Sequence, residues 1–142
     1  MPKCEEVMTA MPMCCLPGDV IEKAVTIMRL ADVGSVPVID DHETKVLVGI
    51  VTDRDVAVKA VAAPMESTKT VADIMSRHPV VCHPEDDVKD ALQSMADAQV
   101  RRIPVVDDSG RLLGIIAQGD IATKVDNNKK TGEVVKEISK PA

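Results

Sequence analysis

The sequence predicts a mixed fold of the α/β (α+β) class, in which one β-α-β-β-α unit occurs twice and the two copies pack with pseudo-twofold symmetry. Two observations lead to this prediction: an internal repeat that spans most of the chain, and the same order of helical and β-rich patterns in each half. The chain has 142 residues, of which 45% are hydrophobic, so it can bury a core. A unit of about 60 residues is only marginally stable alone, and the two copies are therefore expected to pack together.

The repeat becomes visible when the chain is shifted by 67 residues. The aligned pairs then include Met8/Met75, Pro12/Pro79, Cys15/Cys82, Met28/Met95 and Pro37/Pro104. Near the end of each copy the shift becomes 65, which aligns Gly49 with Gly114 and Asp55 with Asp120. This change falls between Asp41 and Gly49, where polar residues suggest a turn and a loop can absorb a deletion at little cost. The predicted domains are 1–62 and 72–126, with a connector at 63–71 and a polar tail at 127–142.

Each copy is predicted to contain the same five elements. A short apolar run comes first, at 13–16 and at 80–83. A helix follows, with apolar residues at the spacing i, i+3, i+4 and i+7: Ile21, Ala24, Val25 and Met28, and in the second copy Val88, Ala91, Leu92 and Met95. Two β-rich runs come next, at 36–39 and 46–51 and again at 103–106 and 112–116. A second helix is predicted to begin near Asp53 and near Gly119, and a short further helix is expected at 133–138.

Charge and hydropathy exclude several classes of partner. The net charge is −6, and the only basic clusters are Arg101-Arg102 and Lys129-Lys130, so no nucleic-acid partner is expected. No apolar run approaches the roughly 20 residues that cross a bilayer. The first residues carry acids where a signal peptide needs an apolar stretch. A cytoplasmic protein without a membrane segment is the expectation.

The sequence contains no Phe, Tyr or Trp, but it contains eight Met and four Cys. Any planar ligand must therefore lie between aliphatic side chains. Cys4, Cys14, Cys15 and Cys82 show no C-x-x-C spacing, and buried free thiols are the favoured interpretation. The alternative is a thiol or metal cluster that combines Cys82 with its neighbours His78 and His83 and with Cys14 or Cys15.

Three motifs in the first copy and their counterparts in the second resemble those of a known family. The first copy has Val7-Met8-Thr9…Pro12, Gly34-Ser35-Val36-Pro37-Val38-Ile39-Asp40 and Gly49-Ile50-Val51-Thr52-Asp53-Arg54-Asp55. The second has Ile74-Met75-Ser76…Pro79, Arg102-Ile103-Pro104-Val105-Val106-Asp107 and Gly114-Ile115-Ile116…Asp120. The ordered set resembles the cystathionine-β-synthase (CBS) domain, and the tandem pair resembles a Bateman module over residues 5–125.

The resemblance implies two clefts that bind AMP, ADP, ATP or S-adenosylmethionine. In the family the Asp of a Thr/Ser-x-x-Asp element takes the ribose hydroxyls, and the Thr or Ser helps to hold phosphate. Thr52 and Asp55 match that element, whereas the second copy keeps Asp120 and has Ala117 in place of the Thr. The resemblance also implies contacts from positions before each strand's proline and from a position near each copy's start: Gly34, Ser35, Val100, Arg101, Arg102, Thr9 and Ser76.

The chemistry of these residue types supports the binding interpretation and leaves one alternative for each motif. A carboxylate can accept both hydroxyls of a ribose diol, but Thr52 with Asp55 also matches a helix-capping box. The guanidinium groups of Arg101 and Arg102 suit phosphate, but they could instead form a surface ion-pair face.

No Ser-His-Asp set, glycine-rich phosphate loop or repeated metal-ligand spacing is present. The sequence therefore predicts no enzyme, no metal site and no obligatory cofactor. It predicts a regulatory sensor that binds an adenosine nucleotide and signals to a partner, either a regulated protein or a second copy in a homodimer. The alternatives are a ligand-independent interaction or stress-response protein with empty clefts, and a Cys/His thiol or metal sensor.

Overall fold

The computed structural model of the protein describes residues 1–62 and 66–124. These residues belong to two compact units. The continuous unit is Met13–Pro79, and the discontinuous unit joins Met1–Pro12 to Val80–Ala142. The predicted helix at 133–138 and residues 63–65 of the predicted connector lie outside the described residues.

The elements follow the repeat. The helices are α1 Cys4–Val7, α2 Ile21–Ala31, α3 Asp53–Asp55, α4 Val71–Ile74, α5 Val88–Ala98 and α6 Gln118–Lys124, and a π-helical segment, Val56–Ala62, directly follows α3. The strands are β1 Thr9–Ala10, β2 Ser35–Ile39, β3 Leu47–Thr52, β4 Ser76–Arg77, β5 Arg102–Val106 and β6 Leu112–Ala117. Mixed helices and small antiparallel sheets confirm the predicted fold class.

Each unit contains one antiparallel three-stranded sheet. The order is β2-β3-β4 in the continuous unit and β1-β6-β5 in the discontinuous unit. The central strand pairs with its neighbour so that Ser35 lies opposite Thr52 in one sheet, and Arg102 lies opposite Ala117 in the other. The third strand of each sheet, β4 or β1, comes from the segment just before the other copy's first proline. The borders of the compact units therefore place each third strand with the sheet that it joins, whereas the predicted domains 1–62 and 72–126 place it with its own copy of the repeat.

Repeated glycines allow the third strand of each sheet to approach closely. A Cβ on Gly49 would lie 2.8 Å from Met75 Sδ and 2.9 Å from the carbonyl oxygen of Ser76. A Cβ on Gly114 would lie 2.6 Å from Met8 Sδ and 2.8 Å from the carbonyl oxygen of Thr9. Side chains at these positions would push the two-residue strands away, so glycine is required in both copies.

The predicted first strands, at 13–16 and 80–83, are wrong in extent. Each contributes a single parallel bridge, Cys15 to Val38 and Cys82 to Val105. Proline follows within two residues of each bridge, at Pro17 and Pro84. Because proline has no N–H, the ladder cannot continue beyond the bridge.

The two long helices pack their apolar faces into separate cores. In α5 all four predicted positions are buried, but in α2 Val25 is 41% exposed and Ile27 is buried instead. The predicted buried face of α2 is therefore wrong at one residue: Ile27 belongs to it and Val25 does not. The core of the continuous unit comprises Cys15, Ile21, Ala24, Ile27, Val36, Val38, Val51, Val71, Ile74 and Met75. That of the discontinuous unit comprises Cys4, Val7, Cys82, Val88, Ala91, Leu92, Met95, Ala96, Ile103, Val105, Ile116 and Ile121.

Candidate functional site

The corner between β3 and α3 holds the most complete motif of the continuous unit. Thr52 ends β3 and is the N-cap of α3, and its Oγ1 accepts a hydrogen bond from the Asp55 N–H at 3.0 Å. In return, Asp55 Oδ2 accepts from the Thr52 N–H at 2.9 Å. These reciprocal bonds form a capping box. The capping interpretation of this motif is therefore confirmed.

The carboxylate of Asp55 is already engaged on both oxygens. Asp55 is only 9% exposed, and its Oδ1 lies 3.1 Å from Lys59 Nζ. The same ammonium group donates to the carbonyl oxygen of Ile74 at 3.1 Å. A ligand hydroxyl that reaches Asp55 must share these oxygens with protein donors.

The start of β2 lies beside this corner. The Gly34 carbonyl accepts a hydrogen bond from the Asp53 N–H at 2.9 Å, and Ser35 lies directly opposite Thr52. Ser35 is 8% exposed, and its hydroxyl has no hydrogen-bond partner among the described residues. Buried polar atoms are nearly always hydrogen-bonded, so this hydroxyl requires an explanation.

The matching corner of the discontinuous unit has different chemistry. Arg102 occupies the position opposite Ala117, and the Arg101 carbonyl accepts a hydrogen bond from the Gln118 N–H at 3.0 Å. The Arg102 side chain is half-buried. Burial lowers the pKa of its guanidinium, and the nearby carboxylate of Asp120 opposes that shift. Arg102 and Asp120 therefore interact electrostatically at this corner.

Asp120 differs from Asp55 in its partners. It is partly buried, and no hydrogen bond or ion pair engages its carboxylate within residues 1–62 and 66–124. Gln118 lies two residues before it, and the Gln118 Oε1 atom is buried without a partner in the same part of the chain. The second corner thus has an available carboxylate and an unsatisfied amide oxygen.

Thr9 and Ser76 each lie in the sheet of the other copy of the repeat, which the repeat alone does not predict. Thr9, from the first copy, pairs with Ile115 in the sheet that carries Asp120. Ser76, from the second copy, pairs with Ile50 in the sheet that carries Asp55. Both are exposed on their short strands. Val100 is 36% exposed just before Arg101, which is itself exposed. Each sheet therefore unites residues from both copies.

A shallow depression of about 330 Å³ lies elsewhere on the continuous unit. It is lined by Leu47, Val48, Arg77, His78 and Pro79. Leu47 and Val48 lie at the start of β3 and the other three residues end or follow β4, whereas Thr52 is at the end of β3. None of the predicted site residues lines this depression.

Two further observations concern other classes of site. Across residues 1–62 and 66–124, no three His, Cys, Asp or Glu side chains come together in a way that could hold a metal ion. None of the helices in this part of the chain has the length and apolarity needed to span a bilayer.

Comparison with known proteins identifies the family. The sequence matches the CBS domain at residues 4–61 and again at 71–127, which together make up most of the chain. The chain therefore belongs to the CBS domain family, and it carries two such domains in tandem. YlbB, an uncharacterized protein of Bacillus subtilis, is 36% identical over 140 residues, a match that covers 98% of this chain and 93% of YlbB.

Solved structures of CBS domain pairs are similar to this chain over most of its length. The structure of CBSX2 in complex with AMP is 28% identical with a TM-score of 0.75, and the match covers 87% of this chain and 95% of CBSX2. The CBS domain pair of protein MJ0100, in complex with 5-methylthioadenosine and S-adenosyl-L-methionine, is 28% identical with a TM-score of 0.76. That match covers 87% of this chain and 94% of the MJ0100 chain.

Two residues at the corners were missed by the sequence analysis. Lys59 follows Asp55 by four positions, and an Asp–Lys pair at i and i+4 is a recognised helix contact that could have been predicted. Gln118 gave no signal, because its counterpart in the first copy is Asp53 and no motif includes it.

Proposed function

We propose that this chain is a regulatory module that binds an adenosine-type nucleotide: AMP, ADP, ATP or S-adenosylmethionine. The observation that carries the proposal is a buried, unpartnered polar atom at each corner, Ser35 Oγ near Asp55 and Gln118 Oε1 near Asp120. A buried polar atom without a hydrogen bond costs roughly 1–3 kcal/mol. A polar ligand that formed these missing hydrogen bonds would explain why each unit keeps such an atom.

The chemistry of similar proteins supports the choice of ligand. CBSX2 is in complex with AMP, and the MJ0100 domain pair is in complex with 5-methylthioadenosine and S-adenosyl-L-methionine. These ligands share an adenosine group. With no aromatic ring in the chain, the adenine must be held between aliphatic side chains. Affinity then depends on the ribose and the phosphate or carboxylate group.

The corner of the discontinuous unit has the groups that such a ligand needs. The carboxylate of Asp120, which has no hydrogen-bond donor among the described residues, can accept two hydrogen bonds from a ribose diol. Arg102, beside it, carries a planar set of N–H donors that suits phosphate or carboxylate. We assign Arg101, Val100 and Thr9 as flanking contacts at this corner.

The corner of the continuous unit is assigned a weaker role. Its proposed contacts are Gly34, Ser35, Thr52, Asp55 and Ser76. Because Asp55 is held by the capping box and by Lys59, ribose binding there must compete with bonds inside the protein. Ser35 has a free hydroxyl but no charge, and this corner offers no counterpart of Arg102. We therefore propose that the corner with Asp120 fills first.

The proposed role is regulation and not catalysis. The nucleotide would act as a regulatory ligand, and no obligatory cofactor is proposed. We propose that occupancy alters contact with a partner, either a separate regulated protein or a second copy of this chain in a homodimer, within the cytoplasm. The net charge of −6 argues against a nucleic-acid partner.

One observation favours a second candidate function. The capping box and the Lys59 ion pair complete the Asp55 corner without any ligand. That arrangement is what a ligand-independent interaction protein with empty clefts would have.

Isothermal titration of the full chain with AMP, ADP, ATP, S-adenosylmethionine and NAD tests the proposal. We expect at least one adenosine ligand other than NAD to bind in the micromolar range, about −8 kcal/mol. Because the protein has no Trp or Tyr, depletion of the adenine absorbance from a filtrate gives an independent measure of binding. No heat and no depletion with any ligand would favour the ligand-independent function.

A further inference from the structure

Two of the four cysteines meet in the core of the discontinuous unit. Cys4, on α1, is 0% exposed, and Cys82, which bridges to Val105, is 4% exposed. They belong to the same buried cluster, in which the two thiols interact, and the Cys82 thiol donates a hydrogen bond to the Pro104 carbonyl oxygen at 3.7 Å. The two thiols are therefore direct neighbours although they are far apart in sequence.

The backbone around the two cysteines holds them in register. The Cys4 N–H donates to the Asp86 carbonyl at 2.8 Å, and the Glu5 N–H donates to the Pro84 carbonyl at 3.0 Å. A bridge between Lys3 and Asp87 continues this contact. A disulfide needs two Cα atoms within about 7 Å and side chains directed at each other. The backbone hydrogen bonds of residues 4 and 5 to residues 86 and 84, together with the shared buried cluster, place the two side chains next to each other.

We infer that Cys4 and Cys82 are a redox-active thiol pair that closes an intramolecular disulfide when the protein meets a small-molecule disulfide. This modification is independent of nucleotide binding. It would attach residues 1–10, including the short strand β1 with Thr9, covalently to the second CBS domain.

The reaction proceeds by two exchange steps. The Cys4 thiol loses its proton, and its sulfur bonds to one sulfur of the reagent, whose S–S bond breaks and releases a first small thiol that takes up the proton. Cys82 then loses its proton and attacks the Cys4 sulfur, which releases the second small thiol with that proton. The protein loses two electrons and two protons, and the reagent gains both.

The environment of each thiol supports this order of attack. The interaction with the Cys82 thiol lowers the pKa of Cys4, while the same interaction and burial raise the pKa of Cys82. Burial instead raises the pKa of Cys14 to about 11 and that of Cys15 to about 12. Cys4 lies on the short helix α1, so opening of this helix exposes Cys4 first and makes it the attacking group. Because the thiolate is the nucleophile, the raised pKa values keep Cys14 and Cys15 unreactive at neutral pH.

The repeat provides an internal control for this pair. The shift of 67 residues aligns Cys82 with Cys15 and Cys4 with Val71. The environments match, since the Val71 N–H donates to the Asp19 carbonyl at 2.9 Å and both Val71 and Cys15 are core residues of the continuous unit. The continuous unit therefore has the same geometry with one thiol in place of two.

Access to the buried pair requires α1 to open. This helix has only four residues, and local opening of a short segment costs less than global unfolding. We therefore expect oxidation to be slow.

The experiment equilibrates the full native chain with oxidised glutathione and then counts free thiols after denaturation. We expect two of the four thiols to disappear, and Cys4 to be joined to Cys82 in a Glu-C digest, which separates Cys4 from Cys14 and Cys15 at Glu5 and Glu6. Cys14→Ser with Cys15→Ser should still form the disulfide. Cys82→Ser should instead accumulate a glutathione adduct on Cys4.

Val71→Cys is the gain-of-function control, and it should lose two further thiols through a new bond to Cys15. Far-UV circular dichroism and melting of each variant establish that it folds. Cys4→Ser should keep its three remaining thiols, and if it does not fold, Cys82→Ser and Val71→Cys still test the pair. Four thiols retained in the folded wild-type protein, or a disulfide that joins other cysteines or two chains, would overturn the inference.

Discussion

Substitution of Asp55 by alanine and of Asp120 by alanine should affect different properties of the protein, although the two residues occupy equivalent positions in the repeat. Asp55→Ala removes the acceptor of the Thr52 N–H and half of the capping box, and it also removes the Lys59 ion pair. Asp120→Ala removes a carboxylate that has no hydrogen bond or ion pair among the described residues and interacts only electrostatically with Arg102. We expect the first substitution to act mainly on stability and the second mainly on ligand affinity.

The magnitudes follow from the contacts. Loss of a capping interaction costs about 0.5–2 kcal/mol, and a buried N–H left without an acceptor costs about 1–3 kcal/mol. These two free-energy costs overlap, because the hydrogen bond of the Thr52 N–H is part of the capping box. The ion pair adds about 1 kcal/mol at most, since the Lys59 side chain is 47% exposed. We therefore expect Asp55→Ala to destabilise the protein by about 2–3 kcal/mol, and Asp120→Ala by about 0.5 kcal/mol or less.

Thermal unfolding followed by far-UV circular dichroism measures the difference, since the chain has no aromatic fluorophore. At about 4 °C per kcal/mol, Asp55→Ala should lower Tm by roughly 8–12 °C and Asp120→Ala by about 2 °C. Nucleotide affinity should fall roughly tenfold to a hundredfold in Asp120→Ala, because a charged acceptor of the ribose is lost. Equal Tm losses in the two variants, or full nucleotide affinity in Asp120→Ala, would refute the reasoning from their different partners.

Much of the fold could be predicted because its signals are local. The apolar spacing of α5 and the β-rich runs that became β2, β3, β5 and β6 can be read within a few residues of each element. The third strand of each sheet could not, because β1 and β4 have two residues each and pair with strands distant in sequence. Only Gly49 and Gly114, which allow that close approach, hinted at it.

The candidate site shows the same division between local and distant information. The Thr52…Asp55 capping box was predictable, since both partners lie within one turn. The electrostatic interaction of Arg102 with Asp120 and the unpartnered hydroxyl of Ser35 required the strand pairing of the structure. The proximity of Cys4 and Cys82 could not be predicted either, because the repeat aligns Cys4 with Val71 and a cysteine pair therefore does not occur in both copies.

Three further predictions concern Arg102, the buried thiols of Cys14 and Cys15, and the hydroxyl of Ser35. Arg102→Ala should weaken binding of AMP at least tenfold more than binding of adenosine in calorimetry, because we propose that its guanidinium contacts the phosphate. Arg29→Ala, which removes an exposed arginine outside both corners, is the matched control. Equal losses for both ligands in Arg102→Ala would show that the residue only shapes the corner. The contribution of the buried thiols to stability should be fully present below about pH 9 and should be lost as pH rises from about 9 to about 12, because burial keeps Cys14 and Cys15 protonated in the folded state while the unfolded thiols ionise near 9.0. Urea unfolding across this range measures that loss, and a chain with alanine at both positions should lose less; an identical slope would contradict the thiol origin. Ser35→Ala should leave the free protein as stable or more stable by about 1 kcal/mol, since it removes a buried hydroxyl that has no partner among the described residues. The same substitution should weaken any nucleotide that binds beside this serine, so stability and affinity should change in opposite directions. If Ser35→Ala instead lowers Tm and leaves affinity unchanged, the hydroxyl has a structural partner within the protein, and the argument that its missing bond is reserved for a ligand fails.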